Sequence, residues 1–236
     1  MELSTDWRDQ LKRPISPEEV HFAVRKRAKN KAPESDSLGL EFYKTNWVMI
    51  KDDIGSMMNQ MFTEGNVSTQ QKYGVIVFLP KPSETTTPAD FRPITLLNTD
   101  YKILASITAN RLRPMMMELL QQSQYCGVPG NTIFETVATV REAIAKAEVK
   151  QAPLCVLSLA FQEVFDRISH QYLFAILRSH GFSNWFVERI KGMYEETVSS
   201  VQINGHIARP IPIRCSTRQR CPMSLMLYVM CVDPLS

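Results

Sequence analysis

The run "GVIVFLPK" at 74–81 is short, apolar and β-branched, and Pro80 closes it, so it reads as a buried strand. One strand needs others beside it and a layer over its face. Extended partners are predicted only far downstream. "LCVLSLAF" at 154–161 reads as a second buried strand, and "TVSSVQINGHIARPIPI" at 197–213 as a hairpin. Its Asn204-Gly205 pair lies between two extended runs, a strong short-range hairpin signal because both residues tolerate positive φ.

Helical patterns fill the rest. Ser16-Pro17-Glu18-Glu19 offers a cap, a proline in the first turn and a capping-box glutamate, and Val20, Ala23 and Val24 follow at helical spacing. "EFYKTNWVMIKDDIGSMMNQMF" at 41–62 carries Phe42, Trp47, Ile50, Ile54, Met57, Met58 and Met61 near helical spacing, with its methionines read as core filler. Further helices are predicted within 96–120, over 132–150, and as a pair at 169–182 and 183–196, the first ended by Gly181 and the second capped by Ser183 or Asn184. Helices in the first two thirds, scattered strands and a late hairpin give an α+β fold.

Composition excludes several classes. Hydrophobic residues at 44% and charged residues at 22% are globular values, and 236 residues suffice for a real core. A net charge of +3 does not argue for nucleic acid by itself, so the placement of charge has to decide. The five cysteines (126, 155, 215, 221, 231) form no CxxC pair and no zinc spacing, which predicts reduced thiols. The N-terminus has no apolar signal core and no stretch approaches a membrane span, so a soluble, intracellular protein is expected.

The order of several motifs is more specific than any one alone: "IVFLPKP", "FRPITLLNTDYKILASITANRL", "QYCGVPG", "LSLAFQEVFDRISH", "VQINGH" and "RQRCPMSL". This series resembles the reverse transcriptase of non-LTR (LINE-type) retrotransposons, from about residue 16 to the last residue. The resemblance implies a right-hand polymerase fold, with residues 1–150 forming helical fingers and 151–236 part of the palm. It also implies two Mg2+ ions in active relatives, held by one carboxylate at the end of a palm strand and two from a later Asp-Asp turn. RNA template and RNA–DNA duplex are the partners of such relatives.

Against that pattern the site is depleted. The family motif resembles Asp-Phe-x-x-Ala-Phe-Asp, and here it reads Ala160-Phe161-Gln162-Glu163-Val164-Phe165-Asp166. Ala160 stands where the strand's metal ligand is expected, and a methyl group cannot coordinate a cation. Asp166 and Glu163 are the nearest carboxylates, six and three residues on. The sequence ends at Ser236, before the expected Asp-Asp turn, so no metal ligand set, no thumb and no cofactor are expected in this chain. Lys81 and Arg92 match cations that meet the triphosphate in the family, Phe161 and Phe165 match residues beside the nucleotide, and Gln219 matches the adjacent glutamine. Arg220, Glu34 and Ser37 stand where glycines are expected, and Asn131 where the family carries arginine.

Each match has a plainer reading. Lys81 and Arg92 are also what an exposed surface shows, and Phe165 is as readily core. The basic run "RKRAKNK", with Arg25, Lys26, Arg27, Lys29 and Lys31, is either a solvated helix face or a nucleic-acid contact. The resulting expectation is a reverse-transcriptase-like chain without polymerase activity, the alternative being a pseudoenzyme that grips RNA or an RNA–DNA duplex. RNA binding is expected to be weak or absent, and no membrane partner is expected. Apolar area around 154–160 and 198–213 is expected to stay uncovered and promote self-association.

Overall fold

The computed structural model describes residues 3–26, 38–81, 87, 90–120, 124, 128, 130–158, 163 and 165–235. In chain order its elements are α1 (Thr5–Lys12), α2 (Pro17–Arg25), α3 (Leu40–Thr45), α4 (Trp47–Glu64), α5 (Thr69–Lys72), β1 (Gly74–Pro80), β2 (Phe91–Leu97), α6 (Thr99–Leu112), α7 (Met116–Leu119), α8 (Ile133–Lys150), α9 (His170–Ser179), α10 (Asn184–Tyr194), β3 (Val198–Ile203), β4 (His206–Ile207), β5 (Ile211–Pro212) and α11 (Ser224–Val232). Helix and sheet content is mixed, as the pattern predicts.

The sheet runs β2-β1-β3-β4, with β5 also paired to β3. β1 and β2 are antiparallel, and β1 and β3 are parallel, with Gly74 opposite Ser199. Asn204 and Gly205, at φ +50° and +82°, turn β3 into β4 through the Ile203–His206 pair. Two left-handed residues in succession are what a type I′ turn requires, and Gly205 meets that need without steric cost.

Local chemistry sets the helix starts. Ser16 accepts from the Glu19 amide while the Glu19 carboxylate accepts from the Ser16 amide, so α2 has its capping box. Ser169 and Ser183 cap α9 and α10. Arg111 of α6 ties down the linker between α1 and α2: its guanidinium pairs with both Glu19 carboxylate oxygens at 2.7 Å and donates to the Arg13 and Pro14 carbonyls. Burial works against the Glu19 charge, but these bonds hold its carboxyl below the ordinary value.

One core cluster contains buried residues from Leu3 to Cys231. α4 and α10 approach closely within it: a Cβ on Gly192 would sit inside contact distance of the Gly65 carbonyl oxygen. Among the described residues no helix is long and apolar enough to cross a membrane. The four described cysteines are free, Cys155 and Cys215 exposed and Cys221 and Cys231 buried; Cys126 lies outside the described residues.

Three expectations need correction. "FRPITLL" is the edge strand β2, so the helix predicted within 96–120 begins only at Thr99. Proline is tolerated on an edge strand, which is where Pro93 lies. The stretch predicted as one helix over 41–62 is two, separated at Asn46. The described part of the strand predicted at 154–161 is neither a strand nor buried: residues 152–158 have no regular structure, and Leu154, Val156 and Leu157 are exposed. A strand forms only beside a partner, and β3 already has β1 on one side and β4 and β5 on the other.

Candidate nucleotide and nucleic-acid site

The β1–β2 hairpin brings Lys81 and Arg92 together. Arg92 lies opposite Leu79, and the Lys81 amide donates to the Asp90 carbonyl at 2.9 Å, extending the ladder beyond Pro80. Residues two apart on a strand share a face, as do cross-strand partners. Leu79, Lys81 and Arg92 therefore share one face at the end of the hairpin where residues 81–90 join its strands, and both cations are exposed. On the opposite face Phe78 and Phe91 meet edge to face with ring centres 6.5 Å apart.

A second cluster forms where residues 165–170 meet the loop 215–221. The Ser216 amide donates to the Ile168 carbonyl and the Thr217 amide to the Phe165 carbonyl, each at 2.8 Å. The Asp166 carboxylate accepts from the Ser216 hydroxyl at 3.0 Å and from Gln219 Nε2 at 2.7 Å. Ser216 also accepts from the Arg218 amide at 2.9 Å. Phe165, half-buried, packs on Tyr228 of α11, ring centres 5.0 Å apart. His170 bonds the Ser216 carbonyl through Nε2 at 3.2 Å. Burial pushes its pKa down, outweighing that bond, and the nearby Arg218 charge pushes the same way.

Arg218 anchors the loop from below. It is 2% exposed, donates through Nη2 to the Lys72 carbonyl at 2.5 Å, and lies over the Tyr101 ring at 5.3 Å. Its Nε and Nη1 are buried without a hydrogen-bond partner among the described residues. Lys72 in turn donates to the Glu195 carbonyl at 2.8 Å, Tyr101 to that of Met193 and Tyr194 to that of Thr217. Burial lowers the Lys72 pKa and raises those of both tyrosines. Sequence reasoning missed this junction entirely. Arg218 and Arg220 are two residues apart with like neighbours, yet one is buried and the other exposed.

Three non-glycine residues of the loop have positive φ: Ser216 at +101°, Arg218 at +58° and Arg220 at +72°. Such conformations cost roughly 1–2 kcal/mol per L-residue. Arg220 stands where the resemblance expects glycine, and its backbone has the left-handed conformation that favours glycine.

The remaining predicted residues are not gathered here. Arg25 and Lys26 end α2 in exposed positions, with Lys26 Nζ 5.2 Å from the centre of the Phe22 ring. Asn131 lies before α8, its side chain donating to the Gln124 carbonyl at 3.1 Å. Ala160, Phe161, Arg27, Lys29, Lys31, Glu34 and Ser37 lie outside the described residues. A groove of about 640 Å³ between α2 and α4, with His21 stacked on Trp47, contains none of the predicted site residues.

Among the described residues no three His, Cys, Asp or Glu side chains gather where they could hold a cation. Asp166 has both oxygens engaged by Ser216 and Gln219, and Glu163, exposed with φ +52°, pairs with Arg167 at 3.6 Å. Hard cations need several free anionic oxygens in one place.

Residues 79–236 match the family reverse transcriptase (RNA-dependent DNA polymerase), and the chain belongs to that family. Its relatives are proteins of non-LTR retrotransposons. It is 33% identical to the transposon TX1 uncharacterized 149 kDa protein of Xenopus laevis over 96% of this chain and 17% of that protein. Identity to the Pol polyprotein from the type-1 retrotransposable element R2 of Popillia japonica is 24%, over 94% of this chain and 30% of that protein. Identity to the probable RNA-directed DNA polymerase from transposon BS of Drosophila melanogaster is 23%, over 92% of this chain and 24% of that protein. The chain thus spans less than a third of the length of these relatives.

Proposed function

We propose that this chain is a reverse-transcriptase-like unit that keeps the frame of a nucleotide site but does not join nucleotides. Residues 1–150 correspond to the fingers and 151–236 to part of the palm. Lys81 and Arg92 take the triphosphate side, and Phe165 and Gln219 the nucleoside side, with Phe161 beside them. The observation that carries the reading is Ala160, which stands where the family's strand-terminal aspartate is expected. Asp166, the aspartate that the motif keeps, accepts from Ser216 and Gln219, and Glu163, nearer in sequence, is exposed beside Arg167. Phosphoryl transfer depends on charge neutralisation by the metal ions, and positioning alone does not replace it. Primer extension on an RNA template with Mg2+ or Mn2+ tests this: no product above a protein-free control is expected, and template-directed DNA synthesis overturns it.

A second reading, a non-catalytic RNA or RNA–DNA binder, draws support from the shared face of Lys81 and Arg92 and from the exposed Arg25 and Lys26. Its affinity would fall steeply with salt, because phosphate contacts release counterions. Loss of binding on Arg25→Glu with Lys26→Glu supports it; affinity that ignores both salt and these changes removes it.

A further inference from the structure

We infer that Asp166 is a positioning residue: it sets which end of the Gln219 amide points away from it and holds the 216–220 loop in its positive-φ form. The consequence for a nucleotide rests on the site reading above; the positioning itself does not.

An ionised carboxylate only accepts hydrogen bonds. With Asp166 Oδ2 2.7 Å from Gln219 Nε2, the amide must turn its NH2 toward Asp166 and leave Oε1 at its other end. A glutamine without such a partner has two nearly equivalent orientations. The second oxygen of Asp166 extends this control into the backbone. It accepts from the Ser216 hydroxyl, which accepts from the Arg218 amide, so one carboxylate engages residues 216 and 219 directly and 218 through a single relay. Ser216, Arg218 and Arg220 all have positive φ without being glycine, and such backbones persist only where the surroundings over-determine them. Asp166 is fixed from its own side as well: its amide donates to the Glu163 carbonyl, and its neighbour Phe165 packs on Tyr228.

A carboxylate offers about four acceptor sites, so these two bonds set the direction in which the remaining lone pairs of Asp166 point.

Side-chain amide NMR of the 15N-labelled full chain tests the inference, with Gln219→Leu identifying the Gln219 NH2 pair. In the unmodified protein that pair is expected away from the exposed-glutamine position and protected from solvent exchange. Asp166→Ala is expected to return it to the exposed position, with exchange faster by about tenfold or more, since a hydrogen bond to a charged acceptor contributes at least that factor. Asp166→Asn keeps the shape and serves if the alanine variant does not fold; with one acceptor left for two donors, it is expected to shift the same pair. Ser216→Ala removes the loop bond alone and is expected to leave the Gln219 signal in place even where it lowers thermal stability. A Gln219 pair that stays shifted and protected in Asp166→Ala, or in Asp166→Asn, overturns the inference. Titration with a deoxynucleoside triphosphate separates the two claims: no binding by the unmodified chain removes the nucleotide-site reading, while the amide signal still decides the role of Asp166.

Discussion

The loop 215–221 and helix α8 handle their surroundings in opposite ways. The loop is strongly polar, yet Thr217 and Arg218 are buried and the chain around them is tied to α5, α6, α10 and residues 165–170. α8 has an apolar series at Ile133, Val137, Val140 and Ile144, a helical stripe by spacing, yet none of its residues is buried. Residues 152–158 continue in the same exposed state. Composition therefore does not decide burial in this chain; the presence of a partner surface does. The middle of the loop, at Thr217 and Arg218, has partners that bury it, whereas none of the residues of α8 is buried.

Core truncation should separate the two regions most sharply. Leu177→Ala, at a fully buried position of α9, is expected to cost about 3 kcal/mol in denaturant unfolding. Gly192→Ala is expected to cost about 2 kcal/mol, because the new methyl group meets the Gly65 carbonyl oxygen and α4 and α10 must separate. An unchanged midpoint in either variant would mean that the packed region is looser than described.

Acid should act on the loop and not on α8. The folded-state pKa of His170 lies below its ordinary value, so the unfolded chain binds that proton more readily. The stability His170 provides is present above its unfolded pKa of about 6.5 and is lost as pH falls through the folded value. Unfolding midpoints are expected to drop between pH 7.5 and 5.5, and to drop less in His170→Gln. Equal slopes would remove the histidine from the account.

The smallest effect on stability is expected on α8. Ile144→Ser should change unfolding by no more than about 0.5 kcal/mol, because that side chain is exposed. Phe134→Glu should instead change solution behaviour: sedimentation velocity is expected to show self-association of the unmodified chain and less of it in the variant. A cost near that of Leu177→Ala at position 144 would show that α8 is packed after all.

What could be read from the sequence follows the same division. The cap of α2, the β1 run and the Asn204-Gly205 turn were legible because residues within a few positions of one another dictate them. β2 was not, because Pro93 interrupts its pattern and the strand exists through its pairing with β1. The strand predicted at 154–161 failed over its described part for the converse reason: its residues favour a pleated surface, but residues 152–158 pair with no described strand. In the site, the motif order pointed to Lys81, Arg92, Phe165 and Gln219, but the common face of the two cations depends on the register of Leu79 with Arg92. The bond from Gln219 to Asp166, 53 residues away, depends on the tertiary fold.

The central claim is that this chain does not assemble the carboxylate oxygens that a nucleotide-joining metal pair needs. Electron paramagnetic resonance of Mn2+ titrated into the protein, with a deoxynucleoside triphosphate present at a fixed concentration, measures this directly. The account predicts the same free-ion signal as in the nucleotide-only control at every protein concentration. A stoichiometric loss of that signal, reversed by Asp166→Asn, would contradict it.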